Sequence, residues 1–242
     1  MKNAHNGKSL PNIVADQIIE YILENNLEAG DKLPNEYAIA TMLGTSRGTV
    51  REAIRRLMSR NILTVRQGSG TFISQRRGIP EDPLGITFIG NDPALALELS
   101  DLRLMVEPCA AEMAARNANA EEIEEMERLC QKIGHLANAN KPYIDIDLQL
   151  HCLIGKCCGN SILKNLIFIM AEASEISIRI TKNKYNDRAF DEHWQIVQAI
   201  RRGDSFGARY AMEAHLNTGR QHIAMLKSLG SKEKKESQNS EE

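Results

Sequence analysis

Apolar residues recur at helical spacing from Pro11 to Asn26, where Val14, Ile18 and Ile22 stand four apart with Ala15, Ile19 and Leu23 beside them. Ala29-Gly30-Asp31 breaks that pattern. Leu33-Pro34 then leads to Asn35, a good N-cap, and a short helix to Leu43. Gly44-Thr45 makes a tight turn and Ser46 caps a third helix from Arg47 to about Arg60, with Ile54, Leu57 and Met58 on its apolar side. The period then changes. Ile62–Val65 and Thr71–Ile73 are β-prone and flank the turn Arg66-Gln67-Gly68-Ser69-Gly70, which predicts a hairpin. Three helices followed by a hairpin predict a winged helix-turn-helix over residues 11–74, after a flexible stretch at 1–10.

Residues 75–92 carry linker punctuation: Arg76-Arg77-Gly78, Ile79-Pro80, Asp82-Pro83 and Gly90-Asn91-Asp92. Beyond Pro93 the pattern is helical almost throughout. It predicts helices near 93–118, 120–139, 143–158, 161–184, 187–203 and 205–229, with Ser161, Asp187 and Asp204 as later caps. The Lys/Glu/Ser-rich tail at 230–242 reads as disordered. The predicted fold class is mainly α: an N-terminal winged helix-turn-helix, then an all-α helical bundle at 93–229.

The net charge of −2 hides an asymmetry, with 11 Lys+Arg against 7 Asp+Glu in residues 1–77 and 19 against 25 in residues 78–242. A basic front on an acidic back suits a nucleic-acid-binding module joined to something else. Five cysteines (Cys109, Cys130, Cys152, Cys157 and Cys158) without a secretion signal read as buried free thiols. The greasiest stretch, Leu166–Ala171, is far too short to span a bilayer, so a cytoplasmic protein with no membrane partner is expected.

The third helix carries Arg47, Arg51, Arg55, Arg56 and Arg60 against one acid, Glu52, and its first turn adds Ser46 and Thr49. A recognition helix reads bases with such N-terminal residues, and the wing tip at Arg66, Gln67 and Gly68 reaches the minor groove. The stretches Leu33-Pro34-Asn35-Glu36, Leu43 to Leu57 and Gly68-Ser69-Gly70-Thr71-Phe72-Ile73 together resemble the GntR family of regulators. The resemblance implies that Arg47, Arg51 and Gly68 contact operator DNA. Two positions depart from the commonest pattern: Tyr37 stands where many members have an arginine, and Gly48 where a longer side chain is usual.

The helical half resembles the effector domain of the FadR-like branch, called FCD. The residues that carry this are Asp101-Leu102-Arg103, Glu107-Pro108, Ala114-Ala115, Asp147 with His151, Gly159-Asn160, Glu192-His193 and His215. Asp147 and His151 stand four apart on one predicted helix, so both leave from one face. With His193 and His215 from two later helices they form a candidate metal set, as in metal-binding members of the domain family. Three imidazoles and a carboxylate suit Zn²⁺, Ni²⁺, Mn²⁺ or Fe²⁺. His222, seven residues past His215, is a weaker fifth candidate; His5 and His135 have no such support.

A four-ligand divalent ion leaves positions that a small carboxylate effector can fill. Arg103 is expected either to pair with that effector or to form a salt bridge with Asp101 or Glu107. The resemblance implies a homodimer, paired mainly through its helical domain, that grips a pseudo-palindromic double-stranded operator and responds to ligand through the linker at 75–92. Release of a repressor is the commoner arrangement in the family, and release and recruitment of DNA both stay open. Three other readings stay open: a metal-free pocket for an acyl effector, a metal-dependent hydrolase, and an architectural DNA-binding dimer without ligand.

Overall fold

Helix α1 (Leu10–Glu24) has a proline in its first turn, where the missing N–H costs nothing, and buries Val14, Ala15, Ile18 and Ile22. It belongs to a computed structural model that describes residues 8–76, 78–89, 93–181 and 189–239 and divides into two units, Met1–Pro83 and Leu84–Glu242. Asn35 caps α2 (Glu36–Met42) by accepting the Ala38 N–H at 2.9 Å. Ser46 caps α3 (Arg47–Ser59) by accepting the Thr49 N–H at 3.1 Å. The buried stripe of α3 is Val50, Ala53, Ile54 and Leu57. Met58, expected on that stripe, is exposed, because one residue past Leu57 the helix has already turned about 100° away.

Strands β1 (Leu63–Arg66) and β2 (Gly70–Ile73) pair antiparallel, Leu63 opposite Ile73 and Arg66 opposite Gly70. Gly68 sits at the tip with φ +74°, a conformation that favours glycine. The segment after α1 flanks this hairpin: Leu33 N–H donates to Thr71 O at 2.9 Å and Ile73 N–H to Asp31 O at 2.8 Å. The sequence showed only a break there. Leu33, Ile39, Leu57, Leu63 and Ile73 join the α1 stripe in one core.

The predicted linker at 75–92 is taken up from both ends. Ser74 N–H donates to Ile62 O, Gly78 N–H to Asn61 O, and Arg76 donates to Ile79 O and Pro80 O, which ties this stretch to the first unit. Farther on, α4 (Ile86–Ile89) buries Ile86 against Leu95, Leu99 and Ala173 of the second unit. Apolar Ile86 is what the punctuation concealed. Arg77 and residues 90–92 lie outside the described residues.

The second unit consists of α5 (Pro93–Asn117), α6 (Ala120–Asn138), α7 (Ile144–Cys157), α8 (Ser161–Thr181), α9 (Ala189–Arg201) and α10 (Ser205–Asn239). Its core gathers Ile133, Leu150, Ile154, Ile196, Ile200 and Met212. Helices α5 and α10 pack along one another and are pinned by Arg209–Glu112 at 3.0 Å and Arg220–Asp101 at 2.5 Å. Gly155 lets α7 meet α8: a Cβ there would lie 2.8 Å from Ile167 Cδ1. Asp204 caps α10 as expected, its carboxylate accepting the Gly207 N–H at 2.9 Å. The cap of α8 is Asn160, not Ser161; its side-chain oxygen accepts from Ile162 and Leu163, both at 3.0 Å. Asp187, Asp92 and the ends predicted at 184 and 187 fall outside the described residues.

Helix α10 runs on to Asn239, through most of the tail expected to be disordered. The stretch Lys232–Gln238 is rich in lysine, glutamate and glutamine, which are strong helix formers, and contains neither glycine nor proline, so it can extend a helix already nucleated by packing. Residues 1–7 and 240–242 lie outside the described residues. Among the described residues no helix is long and apolar enough to cross a membrane.

Candidate functional site

In the first unit the expected DNA-contacting residues line α3 and the wing. Ser46, Arg47, Arg51, Arg66, Gln67 and Gly68 are exposed, and Thr49 is half-buried. The hydroxyls of Ser46 and Thr49 lie 2.9 Å apart, so each retains capacity for an outside partner. Arg66 stacks on the Phe72 ring, 4.6 Å from its centroid, which holds the guanidinium beside the wing tip. Arg51 donates through Nε and Nη2 to Glu36 at 3.2 and 2.8 Å.

In the second unit, Asp147 and His151 of α7, His193 of α9 and His215 of α10 converge, their ligand atoms all within 4.8 Å of one another. His193 Nε2 lies 2.7 Å from Asp147 Oδ1, and His151 Nε2 lies 3.9 Å from Asp147 Oδ2. The rings of His193 and His215 are 4.2 Å apart between centroids. His222 is not part of the cluster. Seven residues are about two turns, so its shared face puts it roughly 10 Å along the axis from His215.

Two carboxylates orient the imidazoles from behind. The buried Glu107 of α5 contacts His151 Nδ1, and Glu192 of α9 lies 3.0 Å from His215 Nδ1. An ionised carboxylate only accepts, so each Nδ1 carries the proton and each Nε2 keeps its lone pair for the centre of the cluster. His151 Nε2 is sealed from solvent and makes no hydrogen bond, a donor atom fitted to a cation. Sequence reasoning assigned neither glutamate to the site. The available signals were the four-residue step from Arg103 to Glu107 and the adjacency of Glu192 to His193.

Arg103 donates through Nε to Glu107 Oε1 at 2.5 Å, the salt-bridge alternative of the sequence reading; Asp101 is engaged by Arg220 instead. Burial pushes the Glu107 carboxyl up, but Arg103 and His151 outweigh it and hold it down at about 2. Burial likewise opposes ionisation of Asp147, yet the histidines, His193 foremost, hold that carboxyl well below the usual carboxylate range. Burial and then His193 push the His215 imidazole down to about 4. An ionised aspartate and a neutral histidine are the ligand forms at neutral pH. By contrast, burial pushes the thiols of Cys130, Cys152 and Cys157 up to about 12, 11 and 12, so these cysteines stay neutral.

Comparison with known proteins settles what carries these two sites. Residues 11–73 match the family described as "Bacterial regulatory proteins, gntR family", and residues 98–218 match the FCD domain. The chain belongs to the GntR family. It is a transcriptional regulator with an FCD effector domain rather than an enzyme, and regulators of this family bind operator DNA and typically dimerise. A solved structure described as "Streptococcus agalactiae GntR" is similar to this regulator at 34% identity and a TM-score of 0.78, covering 87% of this chain and 99% of that one. The "Putative L-lactate dehydrogenase operon regulatory protein" of Escherichia coli is 30% identical over 221 residues, 87% of this chain and 84% of that protein. The "HTH-type transcriptional repressor NanR" of Klebsiella aerogenes is 25% identical over 225 residues, 87% and 84% of the two chains. FCD domains are often metal-binding, which agrees with the donor set of this GntR-family chain.

Proposed function

We propose that this regulator is a homodimeric repressor whose hold on its operator is released by a small organic acid, bound in the helical domain at a divalent metal. The observation that carries this reading is the convergence of Asp147, His151, His193 and His215, with a sealed Nε2 on His151. These four residues would hold the ion, and the bound ion would supply Lewis-acid positions for a carboxylate or α-hydroxy-carboxylate. Glu107 and Glu192 keep two of the imidazoles in the ligating tautomer. Arg103 brings a guanidinium to the same cluster, its Nη2 lying 3.2 Å from His151 Nδ1, so its remaining donors can take a second polar group of the acid. The name of the L-lactate operon relative agrees with a hydroxy-acid effector, and that of NanR with repression.

Ser46, Arg47, Thr49 and Arg51 on α3 and Arg66, Gln67 and Gly68 on the wing would grip the operator. The protein would work in the cytoplasm, where its DNA is. The deciding experiment is metal analysis by mass spectrometry of purified wild type and His193→Ala, each after incubation with Zn²⁺, Ni²⁺ and Mn²⁺. About one metal per chain in the wild type, lost in the variant, supports the site. Absence of metal from both sinks it and leaves a regulator with a metal-free pocket.

A further inference from the structure

Glu36 is the first residue of α2, yet that helix is capped by Asn35, not by Glu36. Its carboxylate instead reaches α3 and engages Arg51 at two points, Nε at 3.2 Å and Nη2 at 2.8 Å. The two side chains are 30% and 51% exposed, so the pair adds little to stability. What a two-point contact does set is the plane and direction of the guanidinium. Arg47 and Arg55, one turn to either side of Arg51, also lie within the field of Glu36. Arg47 makes no ion pair or hydrogen bond among the described residues, while Arg55 shares Glu52 with Arg56. The one carboxylate on this face of α2 is therefore spent on a single arginine of the three.

The contact occupies Nε–H and one N–H of Nη2. Both N–H groups of Nη1 and the second of Nη2 remain, along the far edge of the plane. Attraction to phosphate depends on net charge, and the Arg51–Glu36 pair has none. Recognition of guanine O6 and N7 depends on two parallel donors held in one plane, and the pair provides those. We infer that Glu36 is a specificity-determining residue: it holds Arg51 as a neutralised, fixed fork for a guanine edge and keeps it from acting as a mobile phosphate-binding cation.

The test uses the full-length protein, a duplex enriched by the wild type from a randomised library, and an unrelated duplex of equal length. Affinity for both is read by fluorescence anisotropy at several salt concentrations. In Glu36→Gln, binding to the unrelated duplex tightens and its log–log salt slope steepens by about one phosphate's worth. The ratio between the two duplexes falls about tenfold, the size of one bidentate base contact. Repeating the selection with this variant loses a guanine at one position of each half-site. Equal changes on both duplexes, with the guanine kept, overturn the assignment. Arg51→Lys keeps the charge without the planar fork, so it loses the same guanine at an unchanged slope. Retention of that guanine in Arg51→Lys overturns the assignment as well, and this variant carries the test if Glu36→Gln melts below the assay temperature.

Discussion

Glu107→Gln removes the charge shared by Arg103 and the Nδ1–H of His151 and leaves one acceptor oxygen where there were two, so an amide NH2 faces one of these buried donors. Glu107→Gln should therefore weaken metal binding about 10- to 100-fold, as loss of an outer carboxylate does, while the four ligands stay in place. Titration with Zn²⁺ against a competing chelator reads this directly; unchanged affinity would show that Glu107 serves the fold alone. Two of the depressed groups set distinct pH windows for the metal-free protein. His215 titrates near 4 when folded against 6.5 when unfolded, so the unfolded chain takes up its proton first and stability falls as pH drops from 6.5 to 4. Glu107, at about 2 against 4.5, contributes stability above pH 4.5 that is lost towards pH 2. Melting temperatures of chelator-treated protein should fall first in the upper window, and His215→Gln should flatten that window only. Asp147, His151, His193 and His215 were legible as a set because their order and spacing resemble metal-binding members of the FCD family, and three imidazoles with a carboxylate suit a divalent ion. The roles of Glu107, Glu192 and Glu36 were not, because each is defined by a partner on another helix or another turn.

Helix ends were legible where a single residue makes the cap, as at Asn35, Ser46 and Asp204. Ser46→Ala removes one such cap and should cost the first unit about 1 kcal/mol. A lowered melting temperature with a retained fold is the expected result, together with weaker operator binding. Asn160 displaced Ser161 as the cap of α8 because its longer side chain reaches two N–H groups at once. Helix contacts were less legible. Gly155 reads as a weak point in a helix, yet it is where α7 meets Ile167 of α8. Gly155→Val would force these helices apart at a cost of about 1–3 kcal/mol. Because α7 also carries Asp147 and His151, metal affinity should fall along with the melting temperature, and loss of neither would place the contact outside the support of the site.

For the whole regulator, coupling between acid and DNA must be reciprocal. If a hydroxy acid lowers operator affinity by some factor, operator DNA must lower acid affinity by the same factor, and the effect must vanish in His193→Ala. Calorimetric titration of L-lactate into metal-loaded protein, with and without operator, checks this; unequal factors would mean that the acid acts at more than one site. By itself the sequence determined two units, a winged helix followed by a helical bundle, because the switch from period 3.6 to period 2 and back is written locally. It also offered, with the family resemblance, candidate residues for holding a metal or a phosphate. Only the tertiary structure decided that Ser74, Arg76 and Gly78 are tied to the first unit and Ile86 to the second, since Ile86 finds Leu95, Leu99 and Ala173 only after folding. It alone brought Asp147, His151, His193 and His215 within one small volume, and set Glu107, Glu192 and Glu36 behind the groups they orient. The physical reason is the same each time: a periodic pattern shows which face of a helix is buried, but a hydrogen bond between helices depends on where both axes lie.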